Sequence, residues 1–98
     1  MIDTHLIDDI RSASAALKSE GATSLYIYGS RARGDNRSDS DLDLFVDYTT
    51  GTGFSLLELA GIYNILSEAT GLDVSITTRN SLHPLLRERI ESEALRFF

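Results

Sequence analysis

The stretch of sequence that decides the fold is residues 24–47, which read SLYIYGSRARGDNRSDSDLDLFVD. Its first part, Ser24 to Tyr28, is rich in β-forming residues and stops abruptly at Gly29-Ser30, so it predicts a buried strand that enters a tight turn. The residues that follow predict a short helical piece ended by Gly34 and then an all-polar loop up to Ser40.

The last part of the stretch, Asp41 to Asp47, alternates between two kinds of side chain, as a half-buried strand does. Leu42, Leu44 and Val46 fall on one face of this strand, and Asp41, Asp43 and Phe45 fall on the other. The apolar set indicates the face that packs on the core. The two acids are therefore predicted to leave the same side of the sheet.

Outside this stretch, apolar residues fall at helical spacing in three segments and alternate in a fourth. Helices are predicted over residues 3–21, over 54–69 with Gly71 as the stop, and from Pro84 onward with Leu86, Ile90, Ala94 and Phe97 on the inner side. A third strand is predicted with Leu72, Val74 and Ile76 facing one way and Asp73, Ser75 and Thr77 the other. The resulting order, α-β-α-β-α-β-α, predicts the α/β (α+β) class: a small three- or four-stranded mixed sheet with helices packed on it, as a single domain over residues 1–98.

The composition argues against several classes of protein. The chain has 98 residues, no cysteine and two histidines, so disulfides and thiolate zinc sites are excluded. Fifteen acidic against nine basic residues give a formal net charge of −6, which argues against a protein that grips nucleic acid through a broad basic face. Apolar runs are short and the N-terminus lacks a basic, then apolar, pattern. We therefore expect a cytoplasmic protein without a membrane span or signal peptide.

The Gly29-Ser30 turn and the two acids are the candidate functional residues. A turn of this kind at the start of a helix offers free backbone N–H groups to an anion such as a phosphate. Asp41 and Asp43 lie two apart on a strand, with Cα atoms roughly 6.5–7 Å apart, so their carboxylates can share a divalent metal ion. An isolated Asp-x-Asp is more often a solvated strand face, and the coupling to the turn is what favours the metal site.

Three arginines lie close to these residues in the sequence. Arg31, Arg33 and Arg37 place three of the nine basic residues within seven positions. This concentration suits a nucleotide polyphosphate, since guanidinium groups pair well with phosphate oxygens. Solvated arginines of a loop and a helix are the alternative.

At these residues the sequence resembles the nucleotidyltransferase superfamily that includes DNA polymerase beta, whose signature is Gly-Ser, a gap, and Asp-x-Asp. Gly29-Ser30 and Asp41-Leu42-Asp43 match it, with Arg31-Ala32-Arg33-Gly34 in the usual place between them. Over essentially the whole chain, the sequence is similar to the minimal nucleotidyltransferases (MNT), small cytoplasmic proteins of prokaryotes.

The resemblance implies an enzyme and a protein partner. Gly29 and Ser30 would hold the phosphates of ATP, and Asp41 and Asp43 would bind Mg²⁺. Among the three arginines near this turn, Arg33 is the candidate that adds to the nucleotide-binding residues. MNT proteins are commonly encoded beside a HEPN-domain toxin and act as its antitoxin, by transferring AMP from ATP to a tyrosine of the toxin. Because the chain is short for a separate acceptor-binding domain, the acceptor surface should come from that partner or from a second copy of this chain.

One position departs from the superfamily pattern. The superfamily usually supplies a third carboxylate from the next strand, and Ser75 stands where it is expected. Asp73, two residues earlier on the same strand face, could take over as a catalytic acid or base. If neither serves, deprotonation of the acceptor hydroxyl is weakened. The alternative function is then a non-catalytic antitoxin that neutralises its partner by covering it.

Overall fold

The sheet contains the three strands that the sequence predicts and one more. The computed structural model describes residues 3–98, in which the strands are β1 (Ala22–Tyr28), β2 (Leu42–Tyr48), β3 (Val74–Thr78) and β4 (Leu95–Arg96). Their order across the sheet is β3-β2-β1-β4. Strands β2 and β3 are parallel, and the other neighbours are antiparallel. The predicted small mixed sheet with helices packed on it is confirmed.

The helices pack mainly on one face of this sheet. They are α1 (Thr4–Ser12), α2 (Ser14–Ser19), α3 (Ser30–Arg33), α4 (Leu56–Thr70) and α5 (Arg87–Glu93), with a short 3-10 helix at Arg79–Ser81. Apolar residues of α1, α2 and α4 meet those of β1 and β2 in one core, which includes Ile10, Leu17, Leu25, Ile27, Leu42, Leu44, Ile62 and Leu66. Within residues 3–98, no helix has the length and apolar character needed to cross a bilayer.

The predicted helix over residues 3–21 is two helices, not one. The break falls at Ala13, whose N–H donates to the carbonyl of Ile10, three residues back. Serines flank it on both sides: the hydroxyl of Ser12 donates to the carbonyl of Asp9, and that of Ser14 to the carbonyl of Arg11. Serine hydroxyls that bond back onto the preceding turn bend helices, which accounts for the interruption.

Helix α4 keeps the predicted stop but starts later than residue 54. Ser55 is the N-cap and forms a capping box with Glu58, so Phe54 precedes the helix. Gly71 ends the helix in the left-handed conformation, with φ of 67°. Glycine adopts this conformation without steric cost, which is why it is a reliable stop signal.

The predicted final helix, from Pro84 through Phe97, is wrong at both ends. Residues 84–86 form a turn, α5 covers only Arg87–Glu93, and Ala94 is extended. Residues 95 and 96 then form β4 along the free edge of β1, where Phe97 also donates its N–H to the carbonyl of Leu25. An apolar run this short fits a helix or a strand by spacing alone, and here the unpaired edge of β1 decides between them.

Candidate active site

The face of the sheet opposite the main core carries the candidate site. Asp43 pairs with Tyr28 of β1 on one side and with Ser75 of β3 on the other. Directly paired residues project from the same face of a sheet, so these three side chains are neighbours. The alternate residues of β2, Leu42 and Leu44, are fully buried against the helices. Alternation along β2 therefore sends the Asp43 carboxylate away from that core.

Gly29 and Asp43 lie against each other at the end of β1. Gly29 has a φ of 77°, and a Cβ atom added to it would lie 2.6 Å from Oδ2 of Asp43. A side chain at this position would strain the backbone and also collide with the carboxylate. Only glycine therefore lets the turn approach the acidic strand this closely.

Asp43 sits in an electrostatically unfavourable place. Burial raises the pKa of its carboxyl above the ordinary value, the charge of Asp41 adds to the rise, and Arg33 opposes it. Burial, followed by the charge of Asp43, also raises the pKa of Tyr28. The two carboxylates repel each other, and Asp43 is partly removed from water. A cation bound between them would offset both the repulsion and the cost of desolvation.

The donor atoms available at Asp41 and Asp43 suit magnesium. Both side chains offer only carboxylate oxygens, the ligand type that this ion prefers. Within residues 3–98, no three acidic or histidine side chains form a group that could hold a metal. Mg²⁺ is often bound through one or two carboxylates, with waters and substrate phosphates completing its shell. The residues present therefore fit a magnesium ion that arrives with a nucleotide.

Helix α3 follows the glycine turn immediately. It has four residues, from Ser30 to Arg33, and ends at Gly34, whose φ is 82°. Among the residues that the structure describes, none forms a hydrogen bond with the Ser30 hydroxyl, and this side chain is half-buried beside Gly29. The guanidinium of Arg33 is exposed and forms ion pairs with Asp35 at 3.1 Å and with Glu93 at 3.2 Å.

Arg31 has a different role from Arg33. It is buried, and its guanidinium donates to the carbonyls of Ser38 and Ser40, with Nη2 2.8 Å from the Ser40 oxygen. These bonds shape the loop that leads directly into Asp41. Arg31 thus holds the loop that precedes the acidic strand. Arg37, in contrast, is exposed on that loop.

The position of the expected third carboxylate is occupied by a hydroxyl side chain. Ser75 is the direct parallel neighbour of Asp43, so it occupies the place beside the acidic pair. Asp73 lies one residue before β3 and is exposed, and its carbonyl accepts the N–H of Leu42 at 2.8 Å. Its side chain lines a groove of about 200 Å³ together with loop residues Ser38, Asp39 and Ser40. The structure thus places Asp73 two residues before Ser75, beside the loop that precedes Asp41.

The sequence reasoning missed Glu93. This residue is at the end of α5, yet its Oε1 atom accepts the N–H of Gly29 at 3.3 Å and pairs with Arg33. Gly29 lies 64 residues and Arg33 60 residues before Glu93 in the chain. No local pattern could have indicated this contact, because it depends on where α5 lies in the fold.

The chain is similar to a known protein family and to several known proteins. The family model for the nucleotidyltransferase domain matches residues 10–97. The chain is 40% identical over 79 residues to "Putative protein adenylyltransferase MJ0435" of Methanocaldococcus jannaschii, a match that spans 81% of this chain and 83% of that protein. It is 37% identical over 73 residues to MJ1217 of the same organism, which carries the same description, with 74% and 72% of the two chains covered.

Two solved structures are also similar. One, described as "Structure of putative minimal nucleotidyltransferase", superposes with a TM-score of 0.72 at 35% identity, covering 91% of this chain and 93% of that one. The other, described as "Crystal structure of the toxin-antitoxin with AMP-PNP", has the same TM-score at 17% identity and covers 94% and 72% of the two chains, so it shows a shared fold. The family model matches nearly all residues of this chain, and the glycine turn lies against the acidic strand. This chain therefore belongs to the nucleotidyltransferase domain family.

Proposed function

We propose that this protein transfers AMP from ATP to a hydroxyl group of another protein, and that the acceptor is a tyrosine of a HEPN-type partner toxin that it neutralises. The contact between Gly29 and Asp43 carries the proposal, because it joins a turn that can hold phosphates to a strand that can hold a metal. The relatives at 40% and 37% identity are described as protein adenylyltransferases, which supports AMP as the transferred group.

Each residue of the site has a role in this reaction. The N–H of Gly29, the hydroxyl of Ser30 and the guanidinium of Arg33 bind and orient the triphosphate. Asp41 and Asp43 would hold Mg²⁺, which supplies positive charge to offset the charge of the triphosphate and of the leaving pyrophosphate. Arg31 keeps Asp41 in place by holding the loop that precedes it.

The transfer itself needs an acceptor oxygen and a place for its proton. The acceptor oxygen bonds to the α-phosphorus, and the bond to the bridging oxygen breaks, releasing pyrophosphate. Ser75 cannot take the acceptor proton as a carboxylate would. We assign that role to Asp73, which is exposed and lies two residues before Ser75.

The partner completes the site from outside. The open edge of the site faces solvent at Asp41 and Asp73, both of which are exposed. A protein hydroxyl presented there needs no acceptor domain on this chain. The similar fold that was crystallised as a toxin-antitoxin with AMP-PNP supports a toxin as the protein that presents it.

The proposal is tested by label transfer. The protein is co-purified with the toxin encoded beside it and incubated with ATP labelled on the α-phosphate, with Mg²⁺ or with EDTA. We expect labelled toxin, a label on tyrosine by mass spectrometry, and loss of both with EDTA. Asp41→Asn and Asp43→Asn should each lower the transfer rate by about 100-fold or more.

A matched control is Asp8→Asn, which removes the same charge from an exposed position of α1. It should transfer AMP at nearly the normal rate. Asp73→Asn tests the base: the transfer rate of this variant should fall. The non-catalytic antitoxin would be established instead if the wild-type complex took up no label and if Asp41→Asn and Asp43→Asn still neutralised the toxin. Ser75 is the observation that favours this alternative.

A further inference from the structure

The end of α5 reaches across to the glycine turn. Oε1 of Glu93 accepts the N–H of Gly29 at 3.3 Å and lies 3.2 Å from Nη1 of Arg33, while Oε2 lies 3.4 Å from the same nitrogen. The side chain of Glu93 is only 20% exposed. An acid from the last helix is therefore held against two groups that the proposed function assigns to the triphosphate.

A carboxylate and a phosphate compete for the same donors. Both present oxygen atoms with negative charge, and both bind backbone N–H groups and guanidinium groups through short, charge-assisted hydrogen bonds. Helix α3 has only four residues, so its dipole adds little. Of the three donors assigned to the triphosphate, Glu93 contacts two, the Gly29 N–H and the Arg33 guanidinium. While Glu93 accepts from the Gly29 N–H and from Nη1 of Arg33, a phosphate oxygen cannot bind these two groups.

We infer that Glu93 is an internal latch: it occupies the phosphate donors of Gly29 and Arg33 when no nucleotide is bound, and ATP must displace it. This inference rests on the proposed function. Only side chains have to move, because a glutamate turns about three bonds and the Arg33 side chain is 41% exposed. The latch lowers the apparent affinity for ATP by the fraction of time for which it is open.

Binding measurements test the latch directly. The dissociation constants of ATP and of inorganic tripolyphosphate are measured by calorimetry for the wild-type chain and for Glu93→Gln, each with Mg²⁺ and with EDTA. A latch that is open about one-tenth of the time predicts that Glu93→Gln binds both ligands roughly tenfold more tightly. Glu88→Gln removes the same charge from the exposed first turn of α5 and should change either constant by less than about twofold.

A second variant separates reach from charge. Glu93→Asp keeps the net charge but is one methylene shorter, so its carboxylate cannot span the distance to the Gly29 N–H. It should also bind tripolyphosphate more tightly than the wild-type chain does. If Glu93→Gln fails to fold in a thermal melt, Glu93→Asp gives the decisive comparison.

The binding and label-transfer results distinguish a failure of the latch from a failure of the proposed function. Weaker or unchanged binding by both Glu93 variants, with AMP transfer by the wild-type chain intact, would overturn the latch and leave the proposed function standing; Glu93 would then position Arg33. Absence of ATP binding by the wild-type chain and by both variants, together with absence of label transfer, would overturn both.

Discussion

Gly29 is the residue at which one added carbon atom should do the most damage to the site. Gly29→Ala would place a methyl group 2.6 Å from Oδ2 of Asp43, in addition to forcing alanine into a positive φ. We expect the Asp43 carboxylate to be displaced and AMP transfer to fall by about 100-fold, since ångström-scale misplacement costs that much. Label transfer and urea unfolding should be measured on the same preparation.

The control for this change is Gly51→Ala. Gly51 has a φ of 81°, close to that of Gly29, but a Cβ atom there would meet nothing within 4 Å. It should lose about 1 kcal/mol of stability through backbone strain and keep its transfer rate. Equal loss of transfer in the two variants would show that strain, and not the contact with Asp43, explains the effect.

At the residue scale, the sequence could predict what depends on neighbours in the chain. The glycine turn after a strand and the alternation that puts Asp43 opposite Leu42 are local patterns, and so is the substitution at Ser75. Glu93 was beyond its reach, because the contact with Gly29 needs α5 to lie over the end of β1. Arg31 also differs from the expectation for a phosphate ligand, since only the fold shows that its donors are used by the loop.

At the scale of single elements, helix α4 depends on its first turn. The Ser55 hydroxyl accepts the N–H of Leu57, and Glu58 accepts hydrogen bonds from the N–H and hydroxyl of Ser55. Hydrogen bonds from Ser55 lower the pKa of Glu58 below its ordinary value of 4.5. The charged form of Glu58 is thus favoured in the folded state. Its contribution to stability is complete above about pH 4.5 and is lost as the pH falls through the lowered pKa.

Ser55→Ala should therefore destabilise the protein by an amount that depends on pH. Near pH 7 we expect the free energy of unfolding to fall by about 1 kcal/mol, the usual cost of a lost N-cap. The difference from wild type should shrink as the pH is lowered below 4.5, since a protonated Glu58 no longer contributes its charge to the capping box. Urea unfolding at several pH values measures both effects.

Ser19→Ala is the comparison for this helix cap. Its hydroxyl bonds back to the carbonyl of Ala15 at 3.0 Å, on the exposed side of α2. It should change stability little and by the same amount at every pH. A loss for Ser55→Ala that does not vary with pH would contradict the role given to Glu58.

Helices and strands with strong local signals were predicted correctly, and the element that depends on tertiary pairing was not. A run of β-forming residues before Gly29 predicted β1, and alternation predicted β2. Gly71 predicted the end of α4. These signals are contained in a few consecutive residues. Strand β4 has only two residues and exists because β1 offers an unpaired edge. Spacing along the sequence cannot report an edge that forms only when the sheet is assembled.

At the scale of the whole molecule, Arg79 joins the sheet to the last helix. It follows β3 and forms two hydrogen bonds to Asp47 of β2, at 2.8 and 3.0 Å, while another nitrogen binds Glu91 of α5. Its guanidinium carbon also lies 4.9 Å from the ring centres of both Tyr26 and Phe45. Phe45 is fully buried on this face, so Arg79 covers a second, smaller apolar cluster.

Removing Arg79 should thus loosen α5 and expose that cluster. For Arg79→Ala we expect the free energy of unfolding to fall by about 2–4 kcal/mol, because the charged hydrogen bonds to Asp47 and Glu91 and the cation–π contacts are lost. Glu91 would keep only its ion pair with Arg87, at 3.5 Å. Arg79→Lys keeps the charge but loses the paired bonds to Asp47, so it should recover only part of the loss. Arg89→Ala, on the exposed side of α5, should cost less than about 0.5 kcal/mol. Urea unfolding of the three variants tests this: if Arg79→Ala were no more destabilised than Arg89→Ala, Arg79 would not be the residue that holds α5 against the sheet.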